Sequence, residues 1–179
     1  MRIPVTTLND GYDLPLLGLG TYKLQGEDVE RTVRTAIELG YRHIDTASFY
    51  DNEVQVGKAI NDAIKAGDVT REELFITTKL WNDDQERALQ AYNESLERLD
   101  LEFLDLYLVH WPWPQNGTYV KAFEQLAELQ GMGRLQSVGV ANFYPEVLDD
   151  IINATGITPV LNQVELNAGF TEPELRAYH

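Results

Sequence analysis

Three ionisable side chains close three successive apolar runs of this 179-residue sequence. Asp45 ends RHID, Lys79 ends LFITTK and His110 ends LDLYLVH, while Tyr50 follows Asp45 in a polar loop. Together these four residue types suit proton donation to a carbonyl oxygen. A phenol with a reference pKa of about 10 is a poor acid at neutral pH, but a nearby ammonium stabilises the phenolate and lowers that value. An ammonium at the end of an apolar strand needs a carboxylate partner in turn. Lys79 and Asp45 suit those two roles, with Tyr50 as general acid and His110 hydrogen-bonding the substrate oxygen from the other side. Trp81 and Trp111, just beyond Lys79 and His110, are placed to wall such a pocket.

Each residue alone has an ordinary reading. Asp45 before Thr46 suits a cap, Tyr50 suits packing, and His110 suits a hydrogen-bonded core position. Lys79 is harder to explain structurally, because an unpaired ammonium there is costly. Other chemistries use fewer of the residues. A Schiff-base aldolase would take Lys79 as nucleophile. A glycosidase pair of Asp45 and Glu165 leaves Lys79, Tyr50 and His110 without roles. Gly18-Leu19-Gly20-Thr21-Tyr22-Lys23 begins like a dinucleotide loop but lacks the third glycine. Three histidines, none in an HExxH pair, and no cysteine argue against a metal site.

The elements that must position these groups alternate. An opening hairpin is expected, with Ile3–Leu8 leading into an Asn9-Asp10-Gly11 turn. Strands are expected over 16–20, 42–45, 74–79, 104–110, 137–140 and 160–165. Between them run helical stripes: Val29, Val33, Ala36 and Ile37; Val56, Ile60, Ala63 and Ile64; Ala88, Tyr92, Leu96 and Leu99. Two more follow, around Val120, Phe123 and Leu126, and around Leu148, Ile151 and Ile152. Gly40, Gly67 and Gly131 are expected to stop helices. The fold class is therefore α/β, built of parallel βα units in one domain over 1–179. A doubly wound sheet suits this element order. So does a (β/α)8 barrel, of which about six βα units plus the N-terminal hairpin would be present. Polar residues at the ends of nearly every strand (Asp45, Lys79, His110, Asn142, Gln163) favour the barrel, whose strand ends converge on one mouth.

The formal charge of −15 argues against a nucleic-acid partner, whose phosphates such a surface repels. No run approaches the ~18 apolar residues of a membrane span. The N-terminal MRIPVTTLND lacks the apolar core of a signal peptide, so a cytoplasmic location is expected. With no cysteine, disulfides are excluded.

At LPLLGLGTYKL, ELGYRHIDTASFYDNE, LFITTKLW, LDLYLVHWP, VGVANF and LNQVEL the sequence resembles the aldo-keto reductase family, most nearly its bacterial 2,5-diketo-D-gluconate reductase-like branch. The resemblance implies a (β/α)8 barrel, NADPH as cofactor, reduction of an aldehyde or ketone, and no metal. It implies Tyr50 as proton donor, Lys79 as its pKa-lowering neighbour, Asp45 as the partner of Lys79, and His110 as the orienter of the carbonyl. Gly20, Thr21, Tyr22, Asn142 and Gln163 match cofactor-contacting positions, and Trp81 and Trp111 match substrate-pocket positions. It further implies a small carbonyl substrate and a monomeric full-length form. Two departures stand out: Ala141 replaces a serine expected to touch the carboxamide, and Asn167-Ala168 replaces the usual His-Pro. The family pattern continues through two more units, so weak nucleotide binding and exposed strand edges are expected of this chain alone. A non-catalytic barrel module for binding or assembly is the alternative function.

Overall fold

The computed structural model describes residues 3–178; Met1, Arg2 and His179, assigned by sequence to the same domain, lie outside the described residues. The chain opens with an antiparallel hairpin of β1 (Val5–Thr7) and β2 (Asp13–Pro15), Val5 facing Pro15 and Thr7 facing Asp13. Gly11, at φ +92°, makes the turn between them. Asp10 Oδ2 in that turn accepts hydrogen bonds from Ser137 Oγ at 2.7 Å and Gln130 Nε2 at 3.1 Å. The hairpin is thereby tied to the starting end of a strand in the main sheet.

That sheet has six strands, all parallel and in chain order: β3 (Gly18–Gly20), β4 (His43–Asp45), β5 (Phe75–Leu80), β6 (Leu106–Val109), β7 (Ser137–Ala141) and β8 (Asn162–Gln163). Helices α1 (Gly26–Glu38), α2 (Glu53–Ala66), α3 (Ala88–Leu99), α4 (Tyr119–Gly131) and α5 (Pro145–Thr155) cross between successive strands, and α6 (Pro173–Tyr178) follows β8. The sheet curls far enough for Gln163 on β8 to donate a hydrogen bond to Asp45 on β4, at 2.9 Å.

Period-two alternation along each strand separates two packing zones. Ile76 and Leu80, Tyr107 and Val109, and Val138 and Val140 turn outward into the core shared with the helices. Phe75, Leu106, Leu108 and Ala141 form a second cluster on the opposite face with Leu8 of the hairpin. Lys79 falls on that inner face because it lies an even number of residues from Phe75, and Asp45 because it lies next to the outward Ile44. Gly139 permits a close approach there: a Cβ would stand 2.9 Å from both the Leu161 carbonyl oxygen and a Leu108 methyl carbon.

The expected helix stripes are buried, Val29 and Val33 on α1 and Val56 and Ile60 on α2 all being fully inaccessible. Several details differ from expectation, among them the strand expected over 104–110, which is Leu106–Val109. Helix α4 runs through Gly131, and it is Gly133, at φ +71°, that takes the left-handed turn after it. The strand expected over 16–20 contracts to Gly18–Gly20, with Leu16 and Leu17 exposed. The strand expected over 160–165 contracts to Asn162–Gln163. These last two strands sit at sheet edges, where a ladder on one side only holds fewer residues extended. Among the described residues, no helix is long and apolar enough to cross a membrane.

Candidate active site

Parallel pairing carries the functional side chains to a common end of the sheet. Gly20, Asp45 and Gln163 are the last residues of β3, β4 and β8, while His110 and Asn142 stand one residue beyond β6 and β7. Gly20, Tyr22, Asp45, Tyr50, His110, Asn142 and Gln163 line one cleft of about 620 Å³, together with His43, Glu165 and the Leu14–Leu16 segment. A second cavity, about 550 Å³, lies at the opposite end of the strands beneath the hairpin, lined by Arg42, Phe75, Asp105 and Gln136. None of the four candidate catalytic residues reaches it.

Lys79 is 1% exposed. Its ammonium donates to Asp45 Oδ1 and to the Thr46 carbonyl oxygen at 2.8 Å. Burial pulls its pKa down, and the Asp45 carboxylate opposes that pull. Asp45 accepts from Gln163 Nε2 through its other oxygen. The pair is the buried, hydrogen-bonded ion pair expected from sequence, with Gln163 as an added partner.

Tyr50 closes a short 3-10 turn, Ser48–Tyr50, and its ring centroid is 5.2 Å from Lys79 Nζ and 5.7 Å from the His110 ring. The expectation that Lys79 lowers the phenol's pKa is not met. Burial, the negative charge of Asp45 and the neighbouring Tyr22 push Tyr50 up to about 12. The physical reason is that the ammonium donates its hydrogen bonds to Asp45 and Thr46 and none to the phenol, so burial and the carboxylate outweigh it. His110, 7% exposed, is pulled down to about 4 by burial and by the charge of Lys79, and its imidazole is neutral near pH 7. Its Nδ1 is buried without a hydrogen-bond partner among the described residues, as is Thr21 Oγ1 beside the cleft.

The remaining expected site residues divide. The Asn142 side-chain amide donates to the His110 carbonyl at 3.0 Å, in a left-handed conformation (φ +61°) that fixes where the amide points. Trp81 stacks on Phe49 at 3.8 Å and meets the His110 ring edge-on at 5.2 Å, and so backs the site without lining the cleft. The Trp111 side chain is 45% exposed and does not line the cleft either. Sequence reasoning missed His43, whose Nε2 lies 3.0 Å from Thr77 Oγ1 one pleat below Asp45. It also missed Ser48, which donates to the Lys79 carbonyl at 3.0 Å, and the buried pair Asn52 and Glu53. A charged residue inside the stripe Glu53, Val56, Gly57, Ile60 is the signal that could have found the last of these.

Residues 16–178 match the model of the aldo/keto reductase family. The chain belongs to this family. An aldo-keto reductase from Mycolicibacterium smegmatis is 47% identical over 178 residues, covering 98% of this chain and 63% of its own. The methylglyoxal reductase DkgA of Escherichia coli is 47% identical over 175 residues, covering 98% of this chain and 62% of its own. This member of the family thus spans about three-fifths of the length of those curated relatives. Among solved structures, an aldo/keto reductase from Brucella melitensis superposes with a TM-score of 0.93 at 42% identity, over 99% of this chain and 69% of that one. A Bombyx mori aldo-keto reductase in complex with NADP gives 0.91 at 39% identity, over 99% and 63%. The six parallel strands and their helices are accordingly the barrel architecture of aldo-keto reductases, as the strand-end pattern had indicated.

Proposed function

We propose that the protein reduces an aldehyde or ketone to an alcohol with NADPH, and that Tyr50 is the proton donor. The observation that carries this reading is that Asp45, held in a buried ion pair with Lys79, lines one open cleft together with the Tyr50 phenol and the His110 imidazole. The nicotinamide end of a dinucleotide fits the residues present. Asn142 and Gln163 bring primary amides to the cleft, and Thr21 keeps a buried hydroxyl without a partner. The cleft lining holds no lysine or arginine among the described residues, so the fit concerns the nicotinamide end and not the phosphates. A relative named methylglyoxal reductase and a neighbour complexed with NADP support the same reading.

When bound, NADPH supplies the hydride that goes to the carbonyl carbon. The chain's residues manage the oxygen. Tyr50 is protonated at neutral pH and offers an O–H to the carbonyl oxygen. Neutral His110 offers a ring N–H to the same oxygen. As negative charge grows there, the Tyr50 proton moves across, and the phenolate left behind is stabilised by the ammonium 5.2 Å from its ring centroid. Asp45 keeps that ammonium charged against its burial. The Tyr22 and His110 rings flank the phenol, at 5.1 and 5.7 Å between ring centroids.

The test is titration of the protein with NADPH, followed by nicotinamide fluorescence, and then loss of absorbance at the nicotinamide band on addition of methylglyoxal. Saturable fluorescence followed by aldehyde-dependent loss is expected. Saturable binding with no oxidation of the nucleotide by any of a panel of small aldehydes and ketones would overturn the reading.

A further inference from the structure

The acid and the ammonium lie on different segments, and Tyr50 closes a 3-10 turn that is followed by Asp51 in a left-handed conformation (φ +53°). Nothing in the covalent chain sets the distance between the phenol and Lys79. The next two residues do. Asn52 is 1% and Glu53 2% exposed, and both are polar at positions that a packed apolar residue would fill at lower cost. We propose that Asn52 and Glu53 are positioning residues that fix the Tyr50 segment against the two sides of Lys79; this rests on the reading of Tyr50 as proton donor.

Their hydrogen bonds run to opposite sides of the site. Asn52 Oδ1 accepts from Thr46 Oγ1 at 2.8 Å, and the Thr46 carbonyl in turn holds the Lys79 ammonium. Asn52 Nδ2 donates to the Thr21 and Leu24 carbonyls at 2.9 and 3.0 Å, which ties in the loop after β3 that carries Thr21 and Tyr22. Glu53 Oε1 accepts from Thr78 Oγ1 at 2.6 Å, and Thr78 is the neighbour of Lys79 on β5. Glu53 Oε2 accepts from Arg98 Nε of α3 at 2.7 Å, with Ser95 Oγ at 3.4 Å. One residue therefore ends its network at the atoms holding the lysine's head, and the other at the lysine's own strand. Burial raises the Glu53 pKa while Thr78 and Arg98 draw it back down. Both polar atoms of Asn52 and both oxygens of Glu53 have partners, and a buried polar network that loses a partner costs more than an apolar core, so each partner restricts where α2, and Tyr50 before it, can sit.

The experiment compares Asn52→Ala, Glu53→Ala, Glu53→Gln, Thr46→Val and Thr78→Val with Ile151→Ala, a core truncation on α5. The two valine variants remove only the hydroxyl that Asn52 or Glu53 engages and nearly keep side-chain shape. The first readout is the Cζ carbon resonance of Tyr50 in 13C-tyrosine-labelled protein, assigned by its absence from Tyr50→Phe and followed through a pH titration. It needs neither cofactor nor turnover. Asn52→Ala, Glu53→Ala and both valine variants are expected to move the Tyr50 midpoint by about one unit toward the ordinary tyrosine value, while Glu53→Gln and Ile151→Ala leave it in place. The second readout is NADPH-dependent reduction of methylglyoxal, where the two alanine variants are expected to lose about 100-fold in kcat, the scale set by a 1 Å misplacement, with little change in KM. An unmoved Tyr50 resonance in Thr46→Val and Thr78→Val overturns the proposal. So does an equal shift in Ile151→Ala, which would make the effect one of stability alone. Absence of turnover in the unsubstituted protein strikes the functional reading instead, and the resonance still decides the positioning role.

Discussion

Removing the Asp45 carboxylate isolates the energetic core of the site. In Asp45→Ala, the Lys79 ammonium, 1% exposed in the unsubstituted protein, keeps only the Thr46 carbonyl as a hydrogen-bond acceptor. Breaking a buried ion pair by deleting one partner costs about 3–5 kcal/mol. For a chain of this size that corresponds to a fall in Tm of roughly 6–20 °C. The penalty has a pH signature. Asp45 is what opposes the burial-driven fall in the Lys79 pKa, so without it that pKa drops further below its unfolded value of about 10.4. Between the two values the unfolded state binds more protons than the folded one, and stability rises with pH. The gap between Asp45→Ala and the unsubstituted protein should therefore be widest near neutrality and narrow as pH approaches 10. Urea unfolding followed by circular dichroism from pH 6 to 10 measures it. Repeating the substitution in Lys79→Met, where no charge is left stranded, should recover about 2–3 kcal/mol of the penalty as coupling energy. A penalty under about 1 kcal/mol, or one unchanged in the Lys79→Met background, would refute the buried-pair reasoning.

Burial and Lys79 hold His110 near 4, against about 6.5 unfolded. Its contribution to stability is complete above the unfolded value and is lost as pH falls toward the folded one, up to about 3 kcal/mol in all. His110→Gln should accordingly flatten the decline in urea midpoint between pH 6.5 and 4, with His43, whose pKa burial also lowers, still contributing. Gly57→Ala places a Cβ 2.2 Å from the Leu99 carbonyl oxygen. Since backbone must part there, a loss of about 3 kcal/mol is expected by chemical denaturation.

Much of the fold was legible because its signals are local. The stripes on α1, α2 and α3 follow helical periodicity, and the βα alternation follows from where those stripes stop. The misplaced stop at Gly131 shows the limit: two glycines two residues apart are equivalent in sequence, and the packing of α4 against its neighbours decides which one turns left-handed. The edge strands were overextended because period-two patterning persists in segments that have a partner on one side only. Within the site, the Lys79–Asp45 pairing was readable from the cost of an unpaired ammonium. The direction of the Tyr50 shift was not, because it depends on which atoms the ammonium engages. Asn52 and Glu53, at the start of α2, were not legible because their partners, Thr46, Thr78 and Arg98, come from three other segments.

The most direct test of the account is the rate of methylglyoxal reduction by Tyr50→Phe at saturating NADPH, compared with the unsubstituted protein at equal folded fraction. Loss of a positioned general acid predicts a fall in kcat of about 10²–10⁴-fold, with the nucleotide fluorescence titration unchanged. Turnover equal to that of the unsubstituted protein would contradict the assignment of Tyr50, and with it the role given to the Lys79–Asp45 pair beside it.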